Sequence, residues 1–373
     1  MTTDTQHIPS GYKPSPLGII PEDWEVKRLG NFAPLQRGFD LPTDRIIKGD
    51  FPVVYSNGIL NYHHEYKAKG PGVVTGRSGT IGKVTFVESD YWPHNTSLWV
   101  TDFNGNNPKY VFYLYSYLDL SKFSSGSGVP TLNRNDVHVS KIAVPPIDEQ
   151  NRIVKVLELW DTAIAKQMQL IEKLTLRKRG LMQQLLTGKK RLKGFEGEWK
   201  EVRLGEVCDL TKGEQVNSET LTNTGLFPVI NGGITPSGYK DDYNTEANTI
   251  TISEGGNSCG FVNLIKTKFW SGGHCYTISN IVNFDLNYLY YSLKFAEPHI
   301  MNLRVGSGLP NIQLGPLQKF ILLMPQLEEQ KAISAFLEQA DKGIEIQKQK
   351  LASLQEQKKG LMQVLLTGKR RVI

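Results

Sequence analysis

From Ile153 onward, apolar residues return in alternating steps of four and three, through Leu157, Trp160, Ile164, Ile171, Leu174, Leu181 and Leu185. A second run repeats the pattern from Ile333 through Leu337, Ala340, Ile344, Leu351, Leu354, Leu361 and Leu365. A seam held over about four heptads predicts a coiled-coil helix. The two helices are expected over residues 148–187 and from 328 to about 367, with Gly188 and Gly368 at their stops. Each would be roughly 60 Å long at about 1.5 Å per residue.

Two seam positions are polar in both copies, Gln167 and Lys178 in the first and Gln347 and Lys358 in the second. An antiparallel pairing in one register sets Gln167 opposite Lys358, Lys178 opposite Gln347, Ile164 against Leu361, Ile171 against Leu354 and Leu174 against Leu351, so that every layer is wholly apolar or wholly polar. Parallel pairing would stack Lys178 on Lys358, placing like charges together in the seam. The antiparallel pair is therefore expected, against the plainer alternative that each helix packs only on its own domain.

The helices belong to a longer duplication. Lys178-Arg179-Gly180-Leu181-Met182-Gln183 through Thr187-Gly188-Lys189 returns as Lys358-Lys359-Gly360-Leu361-Met362-Gln363 through Thr367-Gly368-Lys369. Upstream stand Pro145-Pro146-Ile147-Asp148-Glu149-Gln150 and Pro325-Gln326-Leu327-Glu328-Glu329-Gln330. Further back, Trp24 with Arg28-Leu29-Gly30 matches Trp199 with Arg203-Leu204-Gly205, and Gly126-Ser127-Gly128-Val129-Pro130 matches Gly306-Ser307-Gly308-Leu309-Pro310. A period this long implies two similar domains, each followed by a helix, rather than a solenoid. The expected division is 1–147 for the first domain, 148–187 for the first helix, 188–327 for the second domain, and 328–373 for the second helix with its basic tail. A chain of 373 residues holds two cores comfortably.

Before each helix, short β-rich runs alternate with Gly, Asn and Pro turns. Pro52–Tyr55, Gly72–Thr75, Lys83–Val87, Ser97–Val100, Thr249–Ile252 and Cys275–Ile278 are predicted strands; Lys109–Tyr115 and Leu286–Leu293 are predicted helices. The expected class is α+β, with two mixed β/α domains separated by an antiparallel two-helix coiled coil in a pseudo-two-fold internal repeat.

The net charge of +6 is concentrated in Lys189, Lys190, Arg191 and Lys193 and in Lys369, Arg370 and Arg371. Such clusters suit nucleic acid but equally complement helix dipoles. Cys208, Cys259 and Cys275 are an odd number of thiols in one half, which argues against a disulfide framework. His274 beside Cys275 lacks the paired ligand spacing of a zinc site, so no metal is expected. No apolar run approaches the ~18 residues of a membrane span, and the start through Ile8-Pro9-Ser10 has no signal-peptide core. A cytoplasmic protein is expected.

Apparent catalytic motifs fail on spacing. Gly76 to Lys83 resembles a phosphate loop, but its first glycine is one residue too distant and Val84 stands where magnesium needs Ser or Thr. Asn107-Pro108-Lys109-Tyr110 departs from the Asn-Pro-Pro-Tyr motif of adenine methyltransferases, and His63-His64-Glu65 lacks a second helical histidine. No catalytic residue is assigned. Two loop regions in each domain do carry donors and acceptors suited to DNA. In the first these are Arg77, Ser78, Thr80 and Lys83, then Thr131, Asn133 and Arg134; in the second, Glu254, Asn257 and Ser258, then Asn311 and Gln313. Arginine reads guanine or holds phosphate, and asparagine reads adenine.

The Trp-x-x-x-Arg-Leu-Gly openings, Pro-x-x-x-Glu-Gln helix starts and Lys-x-Gly-Leu-Met-Gln-x-Leu-Leu-Thr-Gly-Lys endings, each present twice in the same order, resemble the specificity subunit (HsdS) of type I restriction-modification systems across nearly the whole chain. The resemblance implies a non-catalytic chain whose two target-recognition domains each read half of a bipartite site in double-stranded DNA, with the helices as a ruler. It also implies two methyltransferase subunits as partners, which carry AdoMet and methylate adenine N6, and restriction subunits that join them; this chain itself would hold no cofactor. The rival readings are a double-domain enzyme, for which no repeated active-site constellation is present, and a coiled-coil scaffold that binds no DNA, which gives no reason for paired loops rich in Arg, Asn and Gln.

Overall fold

The computed structural model describes residues 8–125, 130–306, 308 and 310–372. Gly126, Ser127, Gly128 and Val129 of the first glycine-rich repeat, and Ser307 and Leu309 of the second, lie outside the described residues. Two compact units make up the chain, residues 1–168 with 350–373 and residues 169–349. Each takes part of both long helices.

The units repeat one topology. In unit 1 a four-stranded antiparallel sheet runs in the order Leu35–Arg37, Ser97–Val100, Gly72–Gly76, Val84–Val87. Unit 2 has Asp209–Lys212, Cys275–Ser279, Thr249–Ser253, Val262–Ile265 in the same order. A three-stranded sheet follows in each, Gly58–His63, Phe51–Tyr55 and Trp92–Pro93 against Gly238–Lys240, Phe227–Ile230 and Trp270–Ser271, with the last strand parallel to its neighbour. The continuous apolar runs form the central strands Gly72–Gly76 and Thr249–Ser253, which are buried along nearly their whole length. The expected α+β class and its internal repeat are both present.

Asn107 caps the helix Pro108–Tyr117, its side chain accepting from the N–H groups of Lys109 and Tyr110, and Pro108 fits the first turn. The partial methyltransferase motif is thus a helix start. Asp285 caps the helix Leu286–Met301 in the same way.

The long helices span Ile147–Leu186 and Leu327–Leu365. In unit 1 the start of the first meets the end of the second, with Ile153, Val154 and Leu157 in one core with Leu365, Leu366 and Leu361. In unit 2 Ile333 and Leu337 share a core with Met182, Leu185 and Leu181. Both pairings are antiparallel, and both helix ends also bury against the β-rich part of their unit. Of the remaining seam positions, Gln167 and Ile344 are buried, while Trp160, Ile164, Ile171, Leu174, Lys178, Gln347, Leu351, Leu354 and Lys358 are half-buried.

The expected register is corrected. Lys358 donates to Asp161 and Lys178 to Asp341, both at 2.5 Å, rather than lying opposite glutamine. Leu174, Lys178 and Leu181 line one groove with Ala340, Gly343 and Ile344. The pairing therefore sits about one heptad from the one that matched polar layers to polar layers.

The repeated signature residues form a clasp in each unit. Glu149 is 1% exposed and accepts from Trp24 Nε1 at 2.9 Å and from Arg371 at 2.6 and 3.2 Å. Glu329 is fully buried and accepts from Trp199 Nε1 at 3.1 Å and from Arg191 at 2.5 and 2.7 Å. The adjacent glutamines tie down the loop before the capped helix: Gln150 Oε1 accepts from Asn107 N, and Gln330 Oε1 from Asp285 N. Close approach favours glycine at both openings: a Cβ on Gly30 would stand 2.9 Å from His138 Cβ, and one on Gly205 would press on the Gln318 side chain at 3.0 Å. One arginine of each basic cluster is thus a structural ligand of a buried carboxylate.

All three cysteines are buried and reduced. Burial pushes the thiol of Cys208 up to about 12 and that of Cys275 up to about 11, and raises that of Cys259. Alkylation at pH 8 should therefore leave the native protein unmodified and label all three thiols in denaturant; rapid labelling of the folded chain, read by mass spectrometry, would contradict this burial. Among the described residues no helix is long and apolar enough to cross a membrane.

Candidate nucleic-acid interface

In unit 1 three segments meet beside the four-stranded sheet. The edge strand ends at Arg37-Gly38, strand Gly72–Gly76 runs into Arg77, and Thr131-Leu132 leads into the short helix Arg134–His138. The backbone joins them: Arg77 N donates to Thr96 O at 2.9 Å, Leu132 N to Arg77 O at 2.8 Å, and Ser78 bridges Thr131. Gly38 has to be glycine, because a Cβ would fall 2.2 Å from the carbonyl oxygen of His94. The result is a groove of about 630 Å³ whose walls carry Gln36, Arg37, Asp40, Arg77, Thr131, Asn133, Arg134 and Asn135.

Four residues expected from the sequence, Arg77, Thr131, Asn133 and Arg134, therefore line one groove. Asn133 also caps the short helix, its Oδ1 accepting from Asn135 N at 3.0 Å. Ser78 sits beside the groove through its backbone bridge. Thr80 and Lys83 stand apart from this lining, on the turn between strands Gly72–Gly76 and Val84–Val87 that the sequence made resemble a phosphate loop; Thr80 is exposed and Lys83 Nζ donates to the carbonyl of Asn57. Gln36, Arg37, Asp40 and Asn135 are groove residues that the sequence did not point to. A signal for Arg37 lay only in the repeat: Arg37-Gly38 follows Arg-Leu-Gly at the same distance as Lys212-Gly213 does in the second copy.

The walls hold Arg37, Arg77 and Arg134 against Asp40, which lies 3.4 Å from Arg37. The excess is positive and suited to phosphate oxygens and to guanine edges. Behind them His138 Nε2 accepts from Leu35 N at 2.8 Å. Burial first, and the charge of Arg134 second, lower its pKa, favouring the neutral ring that this bond requires.

Unit 2 has the same backbone frame with other side chains. Glu254 N donates to His274 O at 2.9 Å, Ile312 N donates to Glu254 O at 2.8 Å, and Gly255 bridges Asn311, so Glu254 occupies the place of Arg77. Lys212 occupies the place of Arg37, followed by Gly213, where a Cβ would fall 2.4 Å from the carbonyl oxygen of Gly272. Here the charges meet: Lys212 Nζ donates to Glu254 Oε1 at 2.5 Å, and His274 Nδ1 stands 3.4 Å from the same carboxylate. Asn311 and Gln313 are exposed along the segment corresponding to Thr131–Asn133, and Asn257 is exposed on its turn. Ser258 turns inward, donating to Gly232 O at 2.6 Å.

Among the described residues, His63, His64 and Glu65 bring ligand atoms within 4.8 Å of one another, with His63 Nδ1 held 3.1 Å from the backbone of Ile47. They lie outside the groove lining.

The model of the "Type I restriction modification DNA specificity domain" family matches residues 21–176 and 196–356. Type I restriction enzyme MjaVIII specificity subunit of Methanocaldococcus jannaschii is 23% identical over 415 residues, covering 95% of this chain and 94% of the relative. Type I restriction enzyme EcoprrI specificity subunit of Escherichia coli is 25% identical over 159 residues, 40% of each chain. The S subunit of a type I restriction-modification system from M. genitalium superposes with a TM-score of 0.62 at 18% identity, covering 92% of this chain and 96% of that one, and so shares its fold.

Proposed function

Because the chain belongs to the type I restriction modification DNA specificity family, we propose that it is the non-catalytic, DNA-reading subunit of such a system, each unit reading one half of an asymmetric bipartite site in double-stranded DNA. The long helices set the spacing between half-sites and dock two methyltransferase subunits. Those partners bind AdoMet, take the target adenine out of the stack and methylate N6, and restriction subunits join the same cytoplasmic assembly. The observation that carries this reading is the repeated frame of the two loop clusters, with Arg77 in one and Glu254 in the other at the same backbone position. Arginine donates to guanine or phosphate, whereas a carboxylate accepts from cytosine N4 and repels phosphate. One frame with opposite chemistry fits two different half-sites.

Mapping methylated adenines in cells that carry the complete system tests this. The expected pattern is a gapped site whose two halves differ in sequence. A palindromic pattern, or none that depends on this chain, would overturn the assignment.

A further inference from the structure

A three-residue cluster occurs twice, once in each unit, joining three elements at one carboxylate. In unit 1 Asp161, on the first long helix, accepts from Tyr113 OH at 2.6 Å and from Lys358 Nζ at 2.5 Å. Tyr113 lies on the helix Pro108–Tyr117, and Lys358 on the second long helix. In unit 2 Asp341 accepts from Tyr291 OH at 2.8 Å and from Lys178 Nζ at 2.5 Å, with the roles of the long helices exchanged. Each ammonium also stands over the tyrosine ring, at 5.1 Å for Lys358 and 5.2 Å for Lys178. Both phenols are buried; burial first and the neighbouring carboxylate second push their pKa values up, so each stays a donor.

The apolar seam alone cannot select this arrangement. A row of Leu and Ile repeating every heptad meets an equivalent row after a heptad shift, where the lysines would face only glutamine, whereas the Lys358–Asp161 and Lys178–Asp341 ion pairs form in the observed register alone. Even a one-turn slip, about 5.4 Å, would carry Lys358 away from Asp161 and leave a half-buried ammonium without its carboxylate. The tyrosine adds the third element, because it belongs to the part of the unit that bears the loop cluster. We propose that Tyr113–Asp161–Lys358 and Tyr291–Asp341–Lys178 are positioning clamps that fix where each loop cluster sits along the helical pair, and so set the half-site spacing that the complex accepts. This inference rests on the reading of the helices as the determinant of spacing.

The test uses the full chain assembled with its methyltransferase partners, on duplexes that keep both half-sites and vary the spacer one base pair at a time. The native complex should lose about tenfold in methylation rate for a one-base-pair change, comparable to a mismatch within a half-site. Lys178→Met with Lys358→Met should flatten that profile to less than about threefold while the half-site sequences stay the same. Lys→Arg at both positions, which keeps the charge, should restore the discrimination. A folded methionine variant that keeps the native profile would overturn the proposal. If that variant does not assemble, Tyr113→Phe with Tyr291→Phe, which removes only the hydroxyls, carries the same test with the same two outcomes. A heptad inserted near Leu174 lengthens the helix by about 10 Å, or about three base-pair steps. An unmoved spacer in that variant refutes the helical ruler itself; a moved spacer beside unaltered clamp variants refutes only the clamps.

Discussion

Arg371→Ala is expected to destabilise unit 1 by about 3 kcal/mol, the cost of leaving a buried carboxylate without its cation. Glu149 is 1% exposed and would keep the hydrogen bond from Trp24 Nε1. The lower end of the usual range applies because the Arg371 side chain is 26% exposed and water can replace part of it. In a unit of this size that corresponds to a fall of roughly 6–12 °C in melting temperature. Arg191→Ala should do the same to unit 2 through Glu329. Peptide-resolved hydrogen exchange separates the two: Arg371→Ala should expose amides around Trp24 and Ile153 and leave those around Trp199 and Ile333 protected. Equal loss in both units, or in neither, would refute the clasp as a local lock.

The second large effect is expected from Arg77→Glu, which writes the charge of unit 2 into the groove of unit 1. The new carboxylate would face Arg37, as Glu254 faces Lys212, so the substitution removes one cation and neutralises another. Binding to DNA bearing the first half-site should weaken by about 10- to 100-fold, corresponding to about 1–3 kcal/mol for a lost arginine–base contact. The salt dependence should also become shallower, by about one unit of slope for each phosphate contact removed. The second half-site should remain unchanged in a methylation map. Unaltered affinity, with an unaltered first half-site, would remove Arg77 from the interface.

The duplication, the strands and the antiparallel helices were legible because each is written in local periodicity or in repeated words. The register was not. Matching Gln167 and Gln347 to the seam lysines satisfied polarity within the seam, but the lysines reach outside it to Asp161 and Asp341, which sit at flanking positions that a heptad pattern treats as surface. Arg191 and Arg371 looked like parts of basic tails because their partners lie 138 and 222 residues away in the chain. In the interface, Arg77, Thr131, Asn133 and Arg134 stood out through glycine-rich context and donor chemistry. Gln36, Arg37 and Asp40 reach the same groove only because the edge strand pairs with Ser97–Val100, a contact between distant segments that composition does not announce. Ser258 failed as a surface donor for the opposite reason, since its turn directs the hydroxyl to a backbone carbonyl.

The discontinuity of unit 1 has a consequence for the order of events on the ribosome. Unit 2 is one uninterrupted run, residues 169–349, and can complete its clasp as soon as Glu329 has followed Arg191 out of the exit tunnel. Unit 1 starts first but needs Arg371, which is 348 residues beyond its ion-pair partner Asp23. At about 5–20 residues per second that interval is roughly 20–70 s. Trp24 waits nearly throughout it, and Glu149 through its last 222 residues, for a side chain not yet made, so the half that begins synthesis first is the half that closes last, and a nascent chain stalled before the second long helix should expose unit 1 to chaperones and proteases.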